Sequence, residues 1–341
     1  MSAFQLLTPL PGASFGGRIG LSGSPGTSSL VEAAETDPAA LADALAKAGG
    51  LLLIPGLLIP GMHDMAENPA LLVRLSRLFG SEVEDYRQTL TPPNMVHPTA
   101  PEIFVVSNIP PASRPPPRRP EPPLTADGKL PVQYPHRRGW HTDQSYRRPP
   151  PDISLFLAVE PVPHGQGQTL FADGTAAYDA LSPELKVRVE GLHGLHVGAS
   201  AGRRREAVLA GETPRPLRPH ERPQPQPVAR VHPTTGRRAL YLCDHGQMDW
   251  LEGPFIGLEP GPRGEGAALL DELMAHLTQP RFVYVHEWNR GDLVIWDNRC
   301  LVHAATWFDA DKERRVMWRT TVSGNPGAAY AGETKSWIEA A

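Results

Sequence analysis

A mainly β domain with flanking helices, α+β in class, is the architecture the sequence predicts. Three observations carry it. Short runs rich in β-branched and aromatic residues recur from residue 51 to residue 324. Amphipathic helical stretches stand before and between those runs. No internal repeat and no regular βαβ alternation is present, so a parallel doubly wound sheet is not indicated.

Taken in order, residues 38–49, PAALADALAKAG, carry apolar residues at helical spacing and stop at Gly49–Gly50, after which LLLIPG reads as a buried strand. Residues 67–80, ENPALLVRLSRLFG, predict a second amphipathic helix with Leu71, Leu72, Leu75 and Leu78 inward and Gly80 as its end. IFVVSN at 103–108 is a β-branched strand. Residues 110–139 hold too many prolines for a helix or a central strand and predict a long loop. Loops of that length tend to be functional lids or disordered. Strands resume with DISLFLAVE at 152–160 and QTLFADG at 168–174, followed by a helix over 179–192. A second Pro/Arg-rich segment near 203–228 reads as another flexible loop. VARVHP and RRALYL around TTG predict a hairpin at 228–242, and GAALLDELMAHLTQP at 266–280 a helix closed by proline. FVYVHEW, GDLVIWDN and RRVMWRTTVSG complete the strands with period-two alternation. The whole, residues 1–341, is expected to form a single domain with insertions near 110–139 and 203–228.

Composition narrows the function classes. At 40% hydrophobic and 21% charged the chain is ordinary for a globular protein, although 39 prolines is high. A net charge of −4 argues against a nucleic-acid surface or a polybasic membrane anchor. The N-terminus lacks the basic start and apolar run of a signal peptide. The longest apolar stretch, residues 50–62, is broken by Pro55 and Pro60 and too short for a bilayer. Cys243 and Cys300 form no CxxC-type spacing, so they fit buried thiols in a reducing compartment. The expectation is a cytoplasmic protein.

The chemistry is concentrated in GWHTDQSYRRPP, residues 139–150. In extended backbone His141 and Asp143 point to one face, because side chains alternate with period two. An imidazole and a carboxylate there are two ligands of a 2-His-1-carboxylate facial triad, which suits non-haem Fe(II) with open positions opposite. His303, after the strand GDLVIW and the turn DNR, is the candidate third ligand. A lone HxD is also the pattern of an exposed polar pair in a loop; the surrounding motifs decide between the two.

Those motifs are WHTD at 140–143, QTLF at 168–171, AAYDALSPELK at 176–186, VHPTTGRRALYL at 231–242, WDNRCLVH at 296–303 and RRVMWR at 314–319. Together they resemble the taurine dioxygenase and phenoxyacetate dioxygenase (TauD/TfdA-type) family of Fe(II)/2-oxoglutarate oxygenases. The resemblance runs from about residue 5 to about residue 325, including LLTPLPGASFGGRI near the start and LLVRLSRLFG at 71–80. It implies a double-stranded β-helix, or jelly-roll, core, with His141, Asp143 and His303 as both iron ligands and catalytic residues. It further implies that Thr169 and Arg315 bind the distal carboxylate of 2-oxoglutarate: a guanidinium offers a carboxylate a two-pronged fork, and a hydroxyl adds a donor. Arg319, four residues on, would hold either 2-oxoglutarate or an anionic substrate. The spacing departs from the family's by one residue between Asp143 and Thr169 and by one between His303 and the arginines. The RRxMxR pattern selects Arg315, and a one-residue slip would exchange it with Arg314.

The implied activity is hydroxylation of a C–H in a small anionic molecule (a sulfonate, sulfate ester, or aryloxy or carboxylic acid), using O2 and releasing succinate and CO2. Desaturation or epimerisation by the same oxidant is the neighbouring outcome, and a catalytically silent jelly-roll binding protein the reading from another class. The intact triad and the arginines oppose the latter, and Asp143 opposes a halogenase. Dimers or tetramers are the assemblies the resemblance implies, with no nucleic-acid or membrane partner. Candidate substrate contacts are His97, Asn108, Gln144, Ser145 and Tyr146, with the 110–139 loop as a lid carrying Tyr134. Local turn hydrogen bonding is the competing role for Asn108, Gln144, Ser145 and Tyr146. Trp140 and Trp296 are expected to pack, and His193, His196, His232 and His286 to be buried or capping.

Overall fold

Two sheets, antiparallel but for one strand pair, face one another, and helices cover their outer sides. The computed structural model describes residues 4–21, 27–56, 65–89, 91–117, 139–198, 202–244 and 246–337. The larger sheet runs Phe4–Pro9, Gly17–Leu21, Leu51–Ile54, Leu293–Asp297, Ile153–Glu160, Val316–Ser323 and Glu82–Val83, and Phe104–Ser107 also pairs with Val316–Ser323. Only the pairing of Gly17–Leu21 with Leu51–Ile54 is parallel. The smaller sheet is Val283–His286, Thr169–Asp173 and Leu301–Ala305. Two ribbons flank it: Ala229–Val231 with Arg238–Leu240, the expected hairpin, and His193–His196 with Gln224–Pro227.

Period-two alternation sorts each strand between two cores. Along Ile153–Glu160, Ile153, Leu155 and Leu157 join the helices Pro38–Lys47 and Pro69–Ser76 in one apolar cluster. Phe156 and Ala158, on the alternate face, pack between the sheets against Phe171 and Leu301 of the smaller sheet. Leu170, Ala172, Val302 and Ala304 turn the other way, onto the helix Glu265–Leu277. Strands buried on both faces therefore read as nearly continuous apolar runs. Each fully buried leucine among them contributes about 1.5–3 kcal/mol.

Several expectations are corrected. The single helix over 179–192 is two, Gly174–Asp179 and Pro183–Val189. Ser182 caps the second through its hydroxyl, which accepts from Leu185 N, and Pro183 sits at its first turn. That is the start signal of a new helix rather than the middle of an old one. The segment near 203–228 is not one loop. It holds the helix Arg205–Leu209 and the strand Gln224–Pro227. The helix Thr27–Thr36 was not anticipated. Cys243 and Cys300 are buried free thiols, and no helix among the described residues is long and apolar enough to cross a membrane.

Candidate active site

His303 lies in the middle of Leu301–Ala305, opposite Phe171 of Thr169–Asp173, and Ala305 lies opposite Thr169. Alternation turns Leu301, Phe171, Thr169 and His303 toward the space between the sheets, where both Thr169 and His303 line a cavity. From the facing sheet Arg315 and Arg319 enter the same cavity on either side of the core residue Met317.

His141 joins the smaller sheet by a single bridge. Its N–H donates to His303 O at 2.9 Å, and His303 N–H donates to His141 O at 2.7 Å. The expected strand over 139–144 is thus corrected to one bridge residue followed by a turn. Gln144 adopts φ +50°, the left-handed region in which extension ends. Asp143 nevertheless comes to the histidines. Its Oδ1 lies 3.9 Å from His141 Nε2 and 3.8 Å from His303 Nε2, and the three donor atoms fall within 4.8 Å of one another.

The protonation states suit ligands. His141 Nδ1 lies 2.7 Å from Gly139 O, which orients the ring and leaves Nε2 bare toward Asp143. Burial pushes His141 down and His303 down to about 3, so both rings are neutral with a free lone pair. Burial pushes the Asp143 carboxyl up, but Arg319, then His303 and His141, outweigh it and hold it at about 2.

Side chains behind the carboxylate fix it. Ser154 Oγ donates to Asp143 Oδ2 at 2.6 Å, and Asn298 Nδ2 donates to Ser154 Oγ at 2.9 Å. Asn298 Oδ1 accepts from Asp143 N at 3.2 Å and from Trp296 Nε1 at 2.9 Å. Trp296 is therefore more than packing, since it also lines the cavity. Arg319 donates to Asp143 Oδ1 and lies over Phe104.

Arg315 contrasts with Arg319. It is 6% exposed, its nearest acceptor is Gly167 O at 3.5 Å, and Phe156 and Phe308 flank it. Burial pushes this guanidinium down to about 10. Asn108 fixes its backbone, accepting from Arg315 N at 2.8 Å and donating to Glu313 O at 2.9 Å. Arg314 points outward to Glu160, so the two neighbours are distinguished by the alternation of the strand. Thr169 Oγ1 accepts from Trp288 Nε1 at 3.0 Å, which leaves its own proton free to donate into the cavity. The cavity has a volume of about 300 Å³.

Other candidates stand elsewhere. His97 does not line the cavity. Its ring packs edge-on to Trp318, 4.7 Å between centroids, and Trp318 belongs to the cluster under the helices. Gln144 turns to Glu84 at 2.7 Å, Ser145 to His196 at 2.9 Å, and Tyr146 is not in the lining. The turn after Asp143 rolls these three away from the cavity. Of the loop 110–139, residues 114–117 line the cavity, whereas Tyr134 lies outside the described residues. Ser154, Asn298 and Arg114 were missed. Asn298 had a signal in WDNRCLVH, but Ser154 looks like any polar residue in an apolar strand. His232, Asp297 and Cys300 form a second cluster within 4.8 Å. Arg299 occupies its carboxylate, at 2.6 and 2.8 Å, and His232 spends both ring nitrogens on Asp297 and on the backbone N–H groups of Thr234 and Thr235. That cluster is structural.

The family model described as "Taurine catabolism dioxygenase TauD, TfdA family" matches residues 7–321. An (S)-phenoxypropionate/alpha-ketoglutarate dioxygenase of Sphingobium herbicidovorans is 39% identical over 198 residues, 57% of this chain and 64% of the relative, so the match spans under two thirds of that relative's length. A pentalenolactone F synthase of Streptomyces arenae is 34% identical over 246 residues, covering 70% of this chain and 74% of the relative. The crystal structure of AAD-2 in complex with Mn(II) and N-oxalylglycine superposes with a TM-score of 0.64 at 27% identity, over 94% of this chain and 97% of that one.

Proposed function

The chain belongs to the taurine catabolism dioxygenase TauD, TfdA family, and from that membership we propose that it is an Fe(II)- and 2-oxoglutarate-dependent dioxygenase that hydroxylates a C–H of a small organic acid. One observation carries the reading. Two bare imidazole nitrogens and an ionised carboxylate converge within 4.8 Å, in a cavity that also receives Arg315, a buried guanidinium with no carboxylate partner among the described residues. The two facing sheets, with the triad between them, support a double-stranded β-helix core.

The residues fit the groups. His141, Asp143 and His303 offer the two-nitrogen, one-oxygen donor set that suits non-haem iron with open coordination positions. Bound Fe(II), with 2-oxoglutarate and O2, supplies the oxidising power, and succinate and CO2 leave as one oxygen atom enters the substrate.

The protein's own residues do the positioning. Ser154 and Asn298 lock the Asp143 carboxylate, as partners behind metal ligands do. Arg315 and Thr169 would grip the distal carboxylate of 2-oxoglutarate, the guanidinium as a fork and the hydroxyl as a third donor. N-oxalylglycine, bound by AAD-2, has the skeleton of 2-oxoglutarate with one CH2 replaced by NH, which supports 2-oxoglutarate as the co-substrate. Phe156, Trp296 and Phe308 form apolar walls beside the donors. Such walls keep water from a reactive centre and strengthen the charge interactions inside.

The test is anaerobic. Fe(II) and 2-oxoglutarate are added to metal-free protein, and the visible metal-to-ligand charge-transfer band is recorded for the wild type, Asp143→Ala and Arg315→Ala. A band that weakens in both variants is the expected result; no band in folded wild-type protein would overturn the reading.

A further inference from the structure

The cavity is too positive for its proposed contents. Among the described residues lining it are three guanidiniums, Arg114, Arg315 and Arg319, and no carboxylate. Asp143 lies just behind, already paired with Arg319. A divalent metal and a 2-oxoglutarate dianion cancel one another, so the excess positive charge of the walls persists once both are bound. Arg315 has the co-substrate to satisfy it and Arg319 has Asp143. Arg114 has no hydrogen-bond acceptor for its guanidinium among the described residues.

Its backbone is held in place. Arg114 N donates to Ser107 O at 2.6 Å, Ser113 N donates to Ile109 O at 3.1 Å, and Asn94 Nδ2 donates to Pro111 O at 2.6 Å. These bonds tie the start of the Pro-rich segment to the edge strand Phe104–Ser107. Pro115 follows directly and biases Arg114 toward extended backbone. Pro115, Pro116 and Pro117 then continue along the cavity wall with no N–H to offer. Arg114 is thus an exposed cation beside Pro115–Pro117 in a cavity lining that also includes Ser107, Asn108 and Phe308. Arg114 and the metal-ligand candidates His141 and His303 line the same cavity.

We propose that Arg114 is the specificity-determining residue that receives the anionic group of the substrate, a carboxylate or sulfonate borne on a small apolar body. This assignment rests on the dioxygenase reading above. The acid group lies at the rim against Arg114 while the apolar body extends inward along Val106, Phe308 and the prolines. Specificity then lies in the loss of affinity when the acid is replaced by a neutral isostere, because the acid alone brings a negative charge and two acceptor oxygens to the guanidinium fork.

The experiment is calorimetric titration of the protein, anaerobic, with and without Fe(II) and 2-oxoglutarate. The probes are phenoxyacetate, hexanesulfonate and the neutral phenoxyacetamide. Wild-type protein is expected to bind at least one acid about tenfold or more tightly than the amide, the lower end for a charge-assisted hydrogen bond at an exposed rim. Arg114→Gln should bring acid and amide within about threefold, Arg114→Lys should keep part of the preference, and Arg314→Gln, a charge loss outside the cavity, should keep all of it. No preference for either acid in the wild type, or a preference that survives Arg114→Gln, would overturn the assignment. The charge-transfer band recorded on the same samples separates the two failures: band present without acid preference removes Arg114 alone, and band absent removes the dioxygenase reading.

Discussion

Arg315→Gln should act on stability and on co-substrate binding with opposite signs. In the ligand-free protein its guanidinium is buried against Phe156 and Phe308 with one long contact to Gly167 O. Burial holds it at about 10 against an ordinary 12.5, which corresponds to a destabilisation on the order of 3 kcal/mol at neutral pH. That is an upper bound, because water entering the cavity solvates part of the group. The sign follows from the direction of the shift. A cation whose folded value is depressed weighs against folding at every pH below that value, and the penalty fades only as pH rises through about 10. Glutamine removes the charge, so the ligand-free variant should melt about 2–5 °C higher than the wild type. The same change deletes the fork for the distal carboxylate. Losing one partner of a buried charge pair costs about 2–4 kcal/mol, or ~30- to 1,000-fold in Kd for 2-oxoglutarate. Thermal scans with and without 2-oxoglutarate, and anaerobic titration of the charge-transfer band, read both effects. A variant that melts lower and binds 2-oxoglutarate as well as the wild type would refute the placement of Arg315 as a preorganised anion site.

Three further outcomes are expected. Asn298→Ala, which strips Asp143 N, Ser154 and Trp296 of a shared partner, should weaken Mn(II) binding about 10- to 100-fold by calorimetry, and unchanged affinity would show that Asp143 needs no such support. Asp297, although buried, is held well below the usual carboxylate range by Arg299 and His232, so its stabilisation is complete above about pH 4 and is lost as pH falls toward its folded value. Asp297→Asn should therefore cost about 3–5 kcal/mol at pH 7 by urea denaturation, with a gap to the wild type that narrows below pH 4; a constant gap would mean the carboxylate charge is irrelevant. Thr169→Val should raise the Kd for 2-oxoglutarate about 3- to 10-fold by removing one hydroxyl donor, and no change would take Thr169 out of the co-substrate site.

Much of the architecture was legible because it is written in local alternation. Leu155 and Phe156 are neighbours in sequence and belong to different cores, and a period-two reading anticipates that for any strand covered on both faces. Arg314 and Arg315 were separated in the sequence only by the RRxMxR pattern; the structure turns the first to Glu160 and buries the second. Where local signals compete, reading the chain alone failed. Ser182–Pro183 is a helix start inside a helical stretch, and Gln144 breaks the extension that His141 begins.

Chain order and residue type offered the candidate donors His141, Asp143 and His303, because each chemistry demands particular side chains, and the basic pair near 315–319 came from the family resemblance of RRVMWR. Which cation is committed and which is free was decided only by the tertiary structure. Arg319 is neutralised by Asp143, 176 residues away in sequence, Arg315 is left buried without a counter-charge, Arg114 is carried to the rim by a loop, and His97 is spent on Trp318. The physical reason is range: side-chain direction is set by backbone neighbours two to four residues apart, whereas pairing and desolvation of charge depend on groups that only the folded chain brings together.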